Sequence, residues 1–144
     1  MQLAELEPKL LEEGCNKARF AVGERGAADD AFCIVQENGR WDVFYTERGN
    51  DSPPIFSSLS EEEACDFFYK YVLTLQHWHL VGWFVEEAGA VELEQRLRRL
   101  GTKPIRNDIP SYRYDGDRRY RVFVAGKDIF AVRNAVPDLP IQKE

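Results

Sequence analysis

The chain has only two histidines, His77 and His79, and they flank Trp78. On a helix, side chains two residues apart point about 200° apart, so these two imidazoles could not share a metal ion there. On a strand they could, but no third ligand stands at a matching spacing. The sequence also lacks GxSxG, HExxH, P-loop and GxGxxG motifs. We therefore expect no metal site and no cofactor, and histidines that lie at an interface or at a helix end.

Carboxylates are the second group of side chains that could do chemistry. Three glutamates, residues 61–63, follow Ser60 and are explained by helix capping. The other carboxylates surround a predicted hairpin and are Asp29, Asp30, Glu37, Asp42, Glu47 and Asp51. They could present an acidic edge to a basic partner, or they could form a solvated polar face. Catalysis by a carboxylate pair would need two such groups a few ångströms apart in a cleft, which the sequence does not establish.

The triplet Glu47-Arg48-Gly49 ends the predicted central strand, where a polar group can mark a site. The alternative is that Glu47 and Arg48 form an ion pair that closes the hairpin.

Three cysteines, Cys15, Cys33 and Cys65, are widely spaced without a CxxC pair. Because an odd number fits a disulfide framework poorly, we expect three buried, reduced thiols, which suit the cytosol.

Composition narrows the class of protein. The chain has 144 residues, of which 44% are hydrophobic and 12% aromatic, so it can bury a core and is not a disordered tail. No apolar run reaches the roughly 18 residues that span a bilayer. The segment 1–14 carries four glutamates and no basic region, unlike a signal or transit peptide. The expected location is therefore the cytoplasm.

Charge is distributed unevenly along the chain. Residues 1–79 hold 7 Lys and Arg against 15 Asp and Glu, a net charge of −8, whereas residues 80–144 have a net charge of +2. An acidic first half repels phosphates and anionic lipid, so we expect no nucleic acid and no membrane partner. A basic protein partner fits this charge, although an acidic surface is also common in ordinary soluble proteins.

Apolar spacing predicts four helices, at residues 2–13, 61–78, 88–100 and 128–136. Pro8 implies that the first helix starts late or has an irregular first turn. Ser60 and Glu63 form a capping box, Gly101 ends the third helix, and Asp128 caps the last one. A strand over residues 129–133 is the competing prediction for the final segment.

Strand signals lie between these helices. A hairpin with arms at 31–36 and 40–46 turns at Asn38-Gly39, and its second arm alternates between two faces. Trp41, Val43 and Tyr45 share one face, while Asp42, Phe44 and Thr46 share the other. A loop follows over 49–54. The remaining predicted strands are 19–23, Ile55-Phe56, 81–85 and 120–124.

This order of elements predicts an α+β fold. We expect one compact domain, a mostly antiparallel sheet with helices packed on one side. Two tightly fused sub-units, 1–79 and 80–144, are the alternative arrangement.

The segment 38–75 resembles bacterial immunity proteins, the cytosolic antidotes to polymorphic or contact-delivered toxins. The resemblance lies in the strand W-D-V-F-Y-T-E-R-G, a short loop, an apolar pair and then S-E-E-E-A-C-D-F-F. It implies a non-catalytic inhibitor that binds one cognate toxin domain, often a nuclease or an NAD-degrading enzyme, and blocks its active site.

Charge and loop placement, rather than the resemblance, select the contact residues. They are Asp42, Glu47, Arg48, Asn50 and Asp51. The principal alternative is a non-catalytic α+β module that binds a small ligand or another protein. A hydrolase that uses Glu47 or Asp108 ranks last, so we expect no enzyme activity. Oligomeric state does not follow from the sequence.

Overall fold

The computed structural model describes residues 1–24, 30–110 and 118–141, and this part of the chain contains four helices and two mostly antiparallel sheets. The α+β class is therefore confirmed. Backbone contacts divide the chain into two compact units, Met1–His77 and Trp78–Glu144. Each unit contains one of the two sheets, whereas the sequence analysis expected a single sheet.

The first unit contains two helices and a five-stranded sheet. In chain order its elements are α1 Leu3–Glu12, a 3₁₀ turn Lys17–Arg19, β1 Phe20–Val22, β2 Asp30–Glu37, β3 Arg40–Glu47, β4 Asn50–Asp51, β5 Phe56–Ser58 and α2 Glu61–Leu73. Strands β2 and β3 form the predicted hairpin, and both turn residues, Asn38 and Gly39, have positive φ, as a type I′ turn requires. Strand β1 pairs in parallel with β2, while β4 and β5 pair antiparallel with β3.

The core of this unit lies between the hairpin and the helices. Its fully buried side chains include Leu6, Leu10, Ile34, Val43, Phe68 and Val72. Ile34 and Val43 are register partners, so they project from the same face of the hairpin, because side chains alternate between the two faces of a strand. This face receives the apolar stripe of α2. Pro8 lies inside α1, which begins at Leu3, so the predicted late start is wrong.

Helix α2 begins as predicted but ends earlier. The Ser60 side chain accepts a hydrogen bond from the Glu63 amide at 3.2 Å, which confirms the cap. A capping box also requires the Ser60 amide to donate to the Glu63 carboxylate. Here the Ser60 amide donates to the Ser58 hydroxyl instead. The helix ends at Leu73, so its predicted extension to residue 78 is wrong.

The second unit has a three-stranded sheet in the order β6-β8-β7. Its elements are β6 Trp78–Phe84, α3 Glu87–Arg99, β7 Ile105–Arg106, β8 Tyr120–Ala125 and α4 Asp128–Ala135. Gly101 has φ +87° and ends α3 as predicted. The final segment is a helix, not the competing strand. Asp128 is its first residue rather than its cap, and the Asp128 carboxylate accepts a hydrogen bond from the Lys103 amide.

The ring of Phe84 packs tightly against Gly89 of α3. A Cβ atom at Gly89 would lie 2.6 Å from Cδ1 of Phe84, closer than side chains tolerate. We expect Gly89→Ala to destabilise the protein by about 1–2 kcal/mol in urea unfolding, because overpacking outweighs the helix propensity of alanine. In a Phe84→Ala background the same change is expected to stabilise by up to about 1 kcal/mol. If Gly89→Ala changes the free energy of unfolding equally in the wild type and in Phe84→Ala, the contact with Phe84 is not the cause.

Candidate functional site

Strand β3 ends in a second tight turn, which carries the predicted contact residues. Arg48 and Gly49 form the turn with φ values of +51° and +82°, and β4 then pairs back onto the end of β3. The predicted loop over 49–54 is therefore wrong at Asn50–Asp51, which form a strand. The sequence analysis missed the turn because arginine rarely adopts positive φ.

We call the side chains of Glu47, Arg48, Asn50 and Asp51 the hairpin tip. All four are exposed, and they line a concavity of about 340 Å³ together with Tyr45 and Ser52. Two hydrogen bonds between Tyr45 and Ser52 join the two arms at the base of the hairpin tip. The Tyr45 amide donates to the Ser52 hydroxyl at 2.9 Å, and the Ser52 amide donates to the Tyr45 carbonyl at 2.7 Å. The structure thus brings four of the five predicted contact residues together.

Asp42, the fifth predicted contact residue, lies elsewhere on the sheet and is engaged within it. Its carboxylate accepts a hydrogen bond from the Ser57 hydroxyl at 2.6 Å and forms an ion pair with Arg40, and its side chain is only 14% exposed. Phe44 and Thr46, on the same face of β3, are buried. The pairing of β5 with β3 therefore covers Asp42, which the sequence did not indicate, whereas Asp30, Glu37, Glu47 and Asp51 are exposed. Asp29 lies outside the described residues.

Five aromatic rings form a continuous row beside the hairpin tip, which we call the aromatic strip. In order, they are Tyr45, Phe32, Tyr71, Phe67 and Phe56. Successive ring centroids lie 4.7, 5.1, 5.8 and 4.3 Å apart. All five side chains keep partial exposure. Sequence reasoning missed the strip because its members come from four separate elements.

Two carboxylates, opposed by the Arg19 guanidinium, act on Tyr45 at the end of the strip that meets the hairpin tip. Burial raises the pKa of the Tyr45 phenol above its ordinary value, and the carboxylates of Asp30 and Glu47 raise it further. Asp30 and Glu47 are register partners, so their charges lie on adjacent strands at this end of the hairpin. Tyr45 therefore stays protonated at neutral pH and presents an aromatic ring beside two carboxylates.

Asp108, the alternative catalytic carboxylate, belongs to an ion-pair network around Arg106. The Arg106 guanidinium donates to Asp108 at 2.7 and 2.9 Å, to Glu94 at 2.7 Å and to Glu87 at 3.1 Å. These hydrogen bonds hold the pKa of Asp108 below its ordinary value. Asp108 is thus ionised at neutral pH and is bound to Arg106 of β7 and to the Arg121 amide of β8, which favours a structural role.

This network predicts a pH dependence of stability. Folding lowers the pKa of Asp108, so the ionised carboxylate stabilises the folded state. This stabilisation is complete above about pH 3.9 and is lost as the pH falls through the folded-state pKa. We expect Arg106→Gln to lower the free energy of unfolding by about 2 kcal/mol at pH 7, and by less at pH 3. Urea unfolding at both pH values measures this. Arg98→Gln is the control, since Arg98 is 60% exposed and its guanidinium forms an ion pair with Glu94. If Arg106→Gln lowers the free energy of unfolding as much at pH 3 as at pH 7, the prediction is wrong.

His77 lies at a helix end, as predicted. Its Nδ1 atom accepts a hydrogen bond from the Asn16 amide at 2.9 Å, and its Nε2 atom lies 2.8 Å from the Val72 carbonyl. Because an amide can only donate, Nδ1 carries no proton, so Nε2 donates to the carbonyl. His79 is not at a helix end but is a buried residue of β6. Within the described residues, no group of three or more His, Cys, Asp or Glu side chains could hold a metal ion.

All three cysteines are buried and free of disulfides, which confirms the expectation for them. Burial raises the pKa of the Cys15 and Cys65 thiols to about 11. Both thiols are therefore protonated at neutral pH and are poor nucleophiles.

A second concavity, of about 820 Å³, lies in the second unit. Its lining consists of Trp83, Arg133, Pro137, Asp138, Leu139, Pro140 and Ile141. The Trp83 amide donates to the Pro140 carbonyl at 2.7 Å, which attaches this terminal segment to β6. The sequence analysis did not anticipate it, because the segment has no regular periodicity.

Comparison with protein-family models, with curated proteins and with solved structures finds no match for this chain. The likeness of residues 38–75 to immunity proteins therefore stays a prediction. In the described part of the chain, no helix is both long and apolar enough to cross a bilayer.

Proposed function

We propose that this chain is a non-catalytic inhibitor of the immunity-protein kind, which acts in the cytoplasm by binding a cognate bacterial toxin domain and blocking its active site. The observation that carries the proposal is the exposed hairpin tip on an acidic unit. Residues 1–77 hold 7 Lys and Arg against 15 Asp and Glu, a net charge of −8. Nucleases and NAD-degrading enzymes bind phosphates in basic clefts, to which such a tip is complementary.

The construction of the tip suits insertion into a cleft. A two-residue turn is the narrowest way to reverse a strand, and here it carries exposed polar side chains on both arms. The Tyr45–Ser52 hydrogen bonds hold the two arms together before binding. A preformed tip loses little conformational entropy on binding, so more of the contact energy appears as affinity.

The proposal predicts that a toxin domain is encoded beside the gene, and co-expression of the chain with that domain tests it. We expect survival of the host and co-purification of a stoichiometric complex. Enzymatic assay of the purified complex should show no toxin activity. Cell death without a complex would refute the proposal.

The concavity beside Trp83 favours a second candidate function, a regulatory module that binds a small ligand. Arg133 and Asp138 place opposite charges within its apolar lining, as polar groups do in ligand sites. Titration with ATP, NAD and citrate, followed by tryptophan fluorescence, tests this candidate. A saturable change that disappears in Trp83→Phe would support it, and no change with any of the three would count against it.

A further inference from the structure

We infer that the aromatic strip is the anchoring surface for the partner, and that its occupant is a protein segment carrying basic side chains next to an aliphatic or aromatic one. This inference rests on the proposed function, because it assumes that the first unit binds a protein. It adds a second contact region and states the chemistry of the segment that occupies it.

The strip and the hairpin tip form one continuous surface. Tyr45 lines the concavity at the tip and also contacts the ring of Phe32, its register partner on β2. At the other end, the ring of Phe56 stacks on Phe67 with only 9° between their planes. Ile55, the residue before Phe56, is 40% exposed and extends the apolar surface along the chain. A partner that engages the tip therefore has an aromatic surface directly beside it.

The rings of the strip keep partial exposure beside a fully buried core. On the same side of the hairpin, Ile34, Val43 and Phe68 are completely buried. The sheet and α2 thus exclude water from the centre of the core but leave all five rings of the strip partly accessible. Tyrosine and other aromatic side chains supply much of the binding energy at protein interfaces, because they bury large areas with few rotatable bonds.

The carboxylates beside the strip favour a partner segment with basic side chains. Asp30 and Glu47 lie beside Tyr45, and the exposed Glu63 lies one helical turn before Phe67. Carboxylates at both ends attract lysine and arginine, and the faces of the rings attract the same cations. A second copy of this chain would bring another unit with a net charge of −8, so self-association through the strip is disfavoured.

An NMR titration of the ¹⁵N-labelled full chain tests the chemistry of the occupant. The probe is a short peptide of alternating lysine and leucine, and peptides of glutamate and leucine or of lysine and serine serve as matched controls. We expect saturable shifts at the strip with the lysine–leucine peptide, binding about tenfold weaker with lysine–serine, and no binding with glutamate–leucine. Shifts outside the strip, or equal binding of both lysine peptides, would overturn the inference.

Two substitutions on α2 test the strip itself. Phe67→Leu removes a ring from the strip, whereas Tyr69→Leu makes a similar change to a partly buried ring outside the strip. We expect about tenfold weaker peptide binding for Phe67→Leu and unchanged binding for Tyr69→Leu. If Phe67→Leu does not fold, Phe56→Leu replaces it. Equal binding by the strip variant and the control would overturn the inference.

The same variants separate this inference from the proposed function. If Phe67→Leu still binds and neutralises the toxin domain as tightly as the wild type, the proposed function stands and the strip is not the anchor. If the toxin domain is not bound by the wild-type chain but the lysine–leucine peptide binds at the strip, the inference stands and the proposed target is wrong.

Discussion

Replacement of Glu47 and Asp51 together by lysine is expected to weaken binding of the toxin domain about a hundredfold. Both side chains are exposed at the hairpin tip, so the change should leave the fold intact. In the proposed complex, it would place two positive charges against a basic cleft. Like charges that meet at an interface cost several kcal/mol, and the loss of steering also slows association.

Calorimetry and stopped-flow measurements at low and high salt check this prediction. The matched control is Glu24→Lys with Glu37→Lys, which changes the net charge of the same unit equally. Glu37 precedes the Asn38-Gly39 turn, and Gly23 pairs with Ile34, so both control residues lie toward the opposite end of the hairpin. Equal weakening by the two double variants would show that only overall charge matters. Asp42 is unsuitable for this test, because its replacement removes the bonds to Ser57 and Arg40.

Replacement of His77 by phenylalanine is expected to lower the free energy of unfolding by about 3 kcal/mol. The imidazole is 7% exposed and satisfies two backbone groups, the amide of Asn16 and the carbonyl of Val72. Phenylalanine preserves the ring but binds neither group. Each buried polar group left without a partner costs about 1–3 kcal/mol.

Urea unfolding followed by tryptophan fluorescence measures the effect at neutral pH. Gln76→Ala is the control, because the Gln76 side chain is exposed and its carbonyl, which accepts from Arg19, is retained. The control is expected to change the free energy of unfolding by less than about 0.5 kcal/mol. A His77→Phe variant as stable as this control would show that the two hydrogen bonds contribute little.

Local features were predictable where a few neighbouring residues decide the conformation. Asn38 and Gly39 both tolerate positive φ and therefore predict the first turn of the hairpin. Ser60 predicts the start of α2, since its hydroxyl reaches an amide three residues away. The end of α2 was not predictable in this way, because apolar periodicity continues to Trp78 while the chain leaves the helix after Leu73.

Some features of the candidate site were also predictable from the sequence, and others were not. The acidic character of the hairpin and the position of Glu47, Arg48, Asn50 and Asp51 at its end follow from the sequence. The tight turn at Arg48–Gly49 does not, because pairing with β3 imposes a backbone conformation that arginine alone disfavours. Asp42 has the same charge as Glu47 and lies only five residues away, yet only the return of β5 makes it a structural residue.

Four features could be predicted from the sequence: the α+β class, the first hairpin, the burial of three reduced cysteines and the acidity of the first unit. Each of these follows from composition or from the preferences of residues close together in the chain. Three features required the folded structure: which carboxylates remain exposed, how His77 connects the Asn16 amide to the end of α2, and that five rings from four elements form a strip. These depend on hydrogen bonds and packing between segments far apart in the chain, which local preferences do not specify.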